Sequence, residues 1–371
     1  MSLSLTSEPS REDLTRAFLR ANGFADLRRE RMAGDASTRM YERLHRPDGG
    51  TLILMNQPPQ DETAPCPPDA TPAERIALGY NASARLAAGR TDAFAAVAGY
   101  LQDRGLSAPA VLALDAAQGF AVLEDLGDEL FAVRVARGEP ETPLYETAVD
   151  ALVRLHAEPP PAVLHGYGSE WPLLAYDDLA LATGCDLFLT WWPKYRGLAP
   201  FPAEALAEWE AAWAPIRARG EAGATVFAHR DYHAENLVWR PEREGPARVG
   251  MLDFQDALRA HPAWDLLSLL QDARRDVSPA LEAAMLERYL AARPEVEREA
   301  FLAHYRALAG LNNTRILFIF ARQIAHFGRP RYVDYMPRTW AHLHRNLADP
   351  ALAAVRAWFD RWLRPEMRTP R

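Results

Sequence analysis

Residues 225–254 read TVFAHRDYHAENLVWRPEREGPARVGMLDF, and this stretch constrains the fold more than any other. Two short apolar runs, NLVWR and RVGMLDF, flank a polar segment containing Pro241, Gly245 and Pro246. Apolar runs around such a turn predict a β-hairpin. In a hairpin the start of the first strand lies beside the end of the second. Asn236 opens the first strand and Asp253 closes the second, so the turn brings together two oxygen-bearing side chains that are far apart in sequence. Asp231 sits on the polar loop His229–Asn236 just ahead of the hairpin. That loop follows TVFA, which is itself apolar enough to be a strand or a buried edge.

The hairpin interrupts a region that otherwise has helical spacing. Apolar residues recur at intervals of three and four over 143–157, 201–220, 263–275, 278–292, 298–328 and 339–363, predicting helices there. The first part of the chain differs. Leu14, Ala17, Phe18 and Ala21 share one face of a helix over 11–24, and helical patterns return near 73–88 and 91–104. TRMYERLHRPDGGTLILMNQ reads as strand, turn and strand, with PDGG as the turn. APAVLALD and GFAVLEDLG supply two further strands, and the proline-rich PPQDETAPCPPDATP (58–72) is irregular. The fold class is therefore α+β. A small N-terminal sheet lobe (1–125) precedes a large, mainly helical C-terminal lobe (126–371), with the boundary at EDLGDE.

Composition narrows the function classes. A length of 371 residues suits two lobes, and 49% hydrophobic with 25% charged residues is ordinary for a globular protein. A net charge of −8 argues against a nucleic-acid partner. Cys66 and Cys185 give no disulfide framework, the N-terminus has no basic segment leading into an apolar run, and no apolar stretch is long enough to span a bilayer. A cytoplasmic protein without a membrane partner is expected. Lys194 is the one lysine in the sequence.

Asn236 and Asp253 present hard oxygen donors, which suit magnesium held jointly by protein and substrate phosphates. Asp231 is then placed to accept a proton from an attacking hydroxyl, the division of labour that phosphoryl transfer requires.

HRDYHAEN followed by LDF resembles the protein-kinase pattern H-x-D-x-x-x-x-N with the start of D-F-G, and Gln255 stands where the glycine would be. His233 resembles the aminoglycoside phosphotransferase and choline kinase branch of the kinase-like fold. GDASTRMYERL, VLEDLGDE, DFQDALRAHPAWDLLSLLQDARR and ILFIFARQIAHFGRPRYVDYMPR are similar to bacterial N-acetylmuramate/N-acetylglucosamine anomeric kinases, in order over roughly residues 12 to 345.

The resemblance implies a two-lobed protein-kinase-like fold using ATP and magnesium. Asp231 is then the catalytic base, and Asn236 and Asp253 the metal ligands. It also implies nucleotide contacts from Gly34, Asp35, Ala36 and Ser37, and from the Glu124 carbonyl and Leu126 N–H at the hinge. Asp265 either caps its helix or anchors the catalytic loop, and His229 braces that loop. AGDAST has a single glycine where kinases have several, and no lysine exists in the N-terminal lobe to hold the α- and β-phosphates. Arg39 and Arg43 lie on one face of the strand preceding TLILMNQ at even spacing and are the candidate replacements, with Arg43 included in the nucleotide site.

For the acceptor, His233, Glu235, Arg315 and Arg322 are the candidates. Arg315, Arg322 and Arg329 recur at seven-residue spacing on one late helix, and this basic stripe favours a neutral or anionic acceptor over a polycation. TWWPKYRG is either a sugar-stacking wall or core. The implied function is phosphorylation of the anomeric hydroxyl of N-acetylmuramate and N-acetylglucosamine, amino sugars of peptidoglycan recycling. Another small-molecule or aminoglycoside phosphotransferase and a nucleotide-binding pseudokinase regulator are the alternatives.

Overall fold

The computed structural model describes residues 9–32, 39–58 and 65–369. Helix α1 (Arg11–Ala21) starts at a capping box in which the Ser10 hydroxyl accepts from the Asp13 N–H and the Asp13 carboxylate accepts from the Ser10 N–H. Strands β1 (Arg28–Arg31), β2 (Met40–His45), β3 (Thr51–Asn56), β4 (Val111–Asp115) and β5 (Phe120–Glu124) form one antiparallel sheet in the order β1-β2-β3-β5-β4. The PDGG turn joins β2 to β3, with Gly49 at φ +84° and the Arg46 N–H donating to the Gly50 carbonyl. β1 was not anticipated. Its sequence RRER has no apolar alternation, and it forms by pairing with β2.

The two-residue period of the strands assigns the faces. Leu44, Leu52, Leu54, Phe120 and Val122 pack against Phe18 and Leu19 of α1 in a small separate core. Met55, Ala121 and Leu123 face the other way and join the main core. Tyr41 and Arg43 share that second face.

Between β3 and β4 lie α2 (Pro72–Leu78), α3 (Tyr80–Ser83) and α4 (Thr91–Asp103). The helix predicted over 73–88 is broken at Gly79, which takes φ +96°. α4 packs into the main core, stacking Phe94 on Phe254 (ring centroids 4.7 Å apart) and Tyr100 on Phe227 (5.1 Å). Its Gly99 lies against Gly166, where an added Cβ would come within 2.5 Å of the Gly166 Cα.

The remainder is largely helical: α5 (Phe131–Ala136), α6 (Glu141–Leu155), a hairpin of β6 (Val163–Gly166) and β7 (Ser169–Pro172), then α7 (Asp178–Arg196) and α8 (Ala203–Ala222). Four short strands follow, β8 (Val226–Ala228), β9 (Leu237–Trp239), β10 (Val249–Met251) and β11 (Leu258–Ala260). Helices α9 (Ala263–Leu270), α10 (Pro279–Ala292), α11 (Arg298–Ala325), α12 (Met336–Leu347), α13 (Ala353–Trp362) and α14 (Pro365–Arg368) complete the chain.

Two predicted helices differ most from expectation. α9 stops at Leu270, and 339–363 is two helices separated at Asp349-Pro350, where the Asp349 carboxylate accepts from the Ala351 N–H at 2.9 Å. α7 was not predicted as a helix. It carries Pro193 internally and is apolar on several sides. Its N-cap Asp177 accepts from the Ala180 N–H and also receives Arg75 and Arg85, tying α2–α3 to the helical body.

Candidate active site

Two antiparallel ribbons frame the site. β8 pairs with β11 and β9 with β10. Loop 229–236 leaves the first ribbon and enters the second, and loop 252–257 makes the return journey. The loops therefore run side by side, fixed at both ends. The Leu252 N–H donates to the Asn236 carbonyl at 2.9 Å, which sets Asn236 beside Asp253. The β9–β10 hairpin was legible from local sequence; the β8–β11 pairing was not.

Buried groups hold the first loop. The Asp265 carboxylate, on the first turn of α9, accepts the backbone N–H of His229 (2.7 Å) and of Arg230 (2.9 Å). Asp265 thus anchors the loop, and Pro262 occupies the N-cap position. Burial pushes the Asp265 carboxyl up to about 7 despite those two donors, which favour its anion. Arg230 takes φ +81°, a left-handed conformation costly for a side-chain-bearing residue, and donates to the carbonyls of Ala84 (3.0 Å) and Arg85 (3.2 Å). The His229 ring is fully buried edge-on to Tyr232 and Phe254, and burial lowers its pKa. The Tyr232 hydroxyl donates to the Ala148 carbonyl at 2.9 Å. None of these groups opens toward a substrate.

Of the remaining loop residues, Asp231, Glu235 and Asn236 reach the surface, while His233 and Ala234 are buried. Asp231 is half-buried, and among the described residues no side chain donates to its carboxylate. The Asn236 amide nitrogen donates to the Asp231 carbonyl (2.9 Å) and approaches His233 Nε2 (3.3 Å). Burial, then the Arg274 charge, hold the His233 pKa well below its ordinary value, so the ring is neutral. Its Nε2 accepts from the amide, and the network assigns the ring proton to Nδ1. With its nitrogen engaged, Asn236 is left to present Oδ1.

Asp253, next to Leu252 on the adjoining loop, takes φ +60°, also left-handed. Partial burial opposes the Asp253 charge, but Arg39 and Gln255 outweigh it and lower the pKa. Arg39 Nη2 lies 2.7 Å from Asp253 Oδ1, Arg39 Nη1 lies 2.7 Å from Gln255 Oε1, and Gln255 Nε2 lies 3.1 Å from Asp253 Oδ1. An amide oxygen and a carboxylate fit the oxygen-seeking Mg²⁺, which keeps water and substrate phosphates among its ligands. The described residues contain no cluster of three or more His, Cys, Asp or Glu side chains that could enclose a metal by themselves.

Other candidates are less centrally placed. Arg43 turns to the interlobe segment, with Nε 2.7 Å from Asp125 Oδ2 and Nη2 2.7 Å from Asp128 Oδ1. In the structure its guanidinium is thus engaged by these two carboxylates. The Glu124 side chain accepts from Arg240 at 2.9 Å. Leu126 packs toward Gly250, where an added Cβ would meet Leu126 Cδ1 at 3.0 Å. Gly34, Asp35, Ala36 and Ser37 lie outside the described residues.

On the acceptor side, Arg315 is half-buried against Gly184, donates to Asn312 Oδ1 (3.3 Å), and lies in the field of Tyr176, Asp231, Tyr80 and Asp256. Burial disfavours its charge, but these neighbours prevail and raise its pKa. Arg322, two turns along α11, instead sits over the rings of Trp191 (5.7 Å) and Phe327 (5.3 Å). Glu235 is exposed and paired with Arg274 at 2.9 Å. Trp192 is fully buried and belongs to the core, while Trp191 is partly buried. The residue whose importance sequence reading missed is Gln255; its only signal was that it replaced an expected glycine.

Comparison with known proteins places the chain in a family. Residues 28–302 match the phosphotransferase enzyme family (APH). The chain is 64% identical over 366 residues, 99% of its length and 100% of the relative's, to an N-acetylmuramate/N-acetylglucosamine kinase of Caulobacter vibrioides. In three dimensions it is similar to a choline/ethanolamine kinase family protein from Mesorhizobium loti, with a TM-score of 0.51 at 18% identity over 94% of this chain and 100% of the other. It is also similar to the ADP-bound aminoglycoside phosphotransferase APH(2'')-Ib, with a TM-score of 0.50 at 16% identity over 89% and 97%. At these identities the structural likeness speaks to the kinase-like fold.

Proposed function

The chain belongs to the phosphotransferase enzyme family, and from that membership we propose that it transfers the γ-phosphoryl group of ATP to the anomeric hydroxyl of N-acetylmuramate and N-acetylglucosamine. The observation that carries this acceptor assignment is the 64% identity, end to end, with a kinase named for these two sugars. The site supports it chemically. Asp231 takes the proton of the attacking hydroxyl as the new O–P bond forms and the bond to the β–γ bridging oxygen breaks, releasing ADP. Asn236 Oδ1 and the Asp253 carboxylate hold magnesium, which supplies charge neutralisation for the phosphates. The backbone of Glu124 and Leu126 receives adenine. Arg315, close enough to Asp231 for their charges to interact, offers a partner for the lactyl carboxylate of N-acetylmuramate. The reaction belongs to reuse of peptidoglycan sugars in the cytoplasm, and among the described residues no helix is long and apolar enough to cross a membrane.

The test is turnover with ATP, magnesium and a panel comprising both amino sugars, an aminoglycoside and choline, following ADP and identifying the product by phosphorus NMR. Sugar 1-phosphates from both amino sugars are expected. ADP formed only with the aminoglycoside or choline overturns the acceptor assignment, and ADP formed with none overturns the activity. Asp231→Asn should abolish turnover while ATP still binds; an active variant removes Asp231 as the base.

A further inference from the structure

We propose that Arg39 is the cation that grips the nucleotide phosphates, and that Gln255 is present to hold it there. This rests on the phosphotransferase reading above. The chain's one lysine, Lys194, lies on α7 with its ammonium over the Trp191 ring, so the phosphate cation is an arginine. Even spacing offered both Arg39, just ahead of β2, and Arg43 within it. Arg43 is drawn to Asp125 and Asp128. Arg39 crosses from the sheet to the helical body and meets the carboxylate that would hold the metal. Phosphate oxygens bound to that metal must arrive beside the same guanidinium, whose planar fork suits them.

Arg39, Gln255 and Asp253 form a closed triangle of hydrogen bonds, with distances of 2.7, 2.7 and 3.1 Å. Gln255 is 4% exposed, whereas the Asp253 side chain is 45% exposed. The ring therefore has a buried back, formed by the glutamine amide, and an open front. A glycine at 255 would remove the acceptor that steers Nη1 and the donor that steadies Asp253. The two departures from the kinase pattern, a lysine missing and a glutamine in place of glycine, form a single hydrogen-bonded unit.

Calorimetric titration with ADP, with and without magnesium, tests this on the wild type, Arg39→Ala, Arg39→Lys, Arg43→Ala, Gln255→Gly and the Arg39→Ala/Gln255→Gly double variant. Arg39→Ala should weaken ADP about tenfold or more in both conditions, as expected for losing a hydrogen bond to a charged group. Arg39→Lys should fall between it and the wild type, and it preserves the test if the alanine variant misfolds. Gln255→Gly should weaken ADP several-fold alone and add nothing once Arg39 is alanine. If Arg39 is only a latch between sheet and body, its loss lowers the melting temperature and leaves ADP affinity within about twofold of the wild type; that result overturns the proposal and leaves the activity intact. Loss of ADP affinity in Arg43→Ala alone overturns it equally, as do independent, multiplying effects at 39 and 255. A wild type that binds no nucleotide overturns the underlying reading as well.

Discussion

The Asp265 carboxylate receives the backbone N–H of Arg230 at 2.9 Å with one oxygen while its other oxygen receives His229, so one buried side chain dictates the path of the loop that carries Asp231. Asp265→Asn keeps the size but turns one acceptor into an amide nitrogen. One of the two N–H groups then loses its partner in a buried setting, at about 1–3 kcal/mol. We expect kcat to fall about tenfold or more with a smaller change in the ATP KM, together with a lower melting temperature. Steady-state kinetics and a thermal melt check both. A variant with wild-type kcat would mean that the loop keeps its path without Asp265.

Asp177 joins elements that are distant in sequence. Arg75 is 1% exposed and directs its guanidinium to the Asp177 carboxylate, which also caps α7. Asp177→Ala strands a buried cation and removes a helix cap, costing about 3–5 kcal/mol. Urea denaturation should show that loss. Because Arg230 donates to the carbonyls of Ala84 and Arg85 in the same segment, activity should fall at temperatures where the fold still persists.

Stability should also depend on pH through His156. This ring is 2% exposed, with Nδ1 2.9 Å from the Tyr289 hydroxyl, and burial followed by the Arg293 charge pushes its pKa from 6.5 to about 3. Below pH 6.5 the unfolded chain takes up a proton that the folded chain refuses, so the His156 contribution is complete above 6.5 and is lost as the pH falls toward 3. The slope is about 1.4 kcal/mol per pH unit, or about 2 kcal/mol between 6.5 and 5. Asp265, pushed up to about 7, acts in the opposite sense and favours the folded state on acidification. His156→Phe should flatten the acid limb of a stability–pH curve; an unchanged slope would assign that limb to other groups.

Arg315 should separate the two sugars. Removing the guanidinium with Arg315→Gln should raise the KM for N-acetylmuramate about tenfold, since a charged hydrogen bond is lost, and change that for N-acetylglucosamine far less. Parallel kinetics on both sugars measure the ratio. Equal effects would assign Arg315 to the shared ring or to Asp231 instead of the lactyl group.

The legible parts of the molecule were local. The β9–β10 hairpin could be read because its turn chemistry and both strands lie within one stretch, and it brings Asn236 to Asp253 without help from the rest of the chain. The β8–β11 pairing joins Val226–Ala228 to Leu258–Ala260 across that whole insertion, and nothing in either three-residue strand names its partner. α7 escaped notice because it is buried on several sides, which blurs helical periodicity, and because Pro193 reads as a break. Arg39 and Arg43 looked equivalent because strand alternation fixes a face and not a reach. Only the positions of Asp125 and Asp128 beside one, and Gln255 and Asp253 beside the other, distinguish them.

Chain order and mechanical order diverge at α4. It precedes β4 and β5 in sequence, yet its rings are stacked on Phe227 and Phe254 in the helical body. Just beyond it, the Ser107 carbonyl accepts from the Met251 N–H at 2.8 Å and the Ser107 hydroxyl donates to the Ala247 carbonyl at 2.6 Å. At the far end of β5, the Trp239 N–H donates to the Glu129 carbonyl at 2.8 Å. The segments flanking the β4–β5 pair are therefore fastened to one ribbon, β9–β10, the same ribbon that presents Asn236 and leads into Asp253. Tilting of the sheet over a nucleotide would then pivot on the element that positions Asn236 and Asp253.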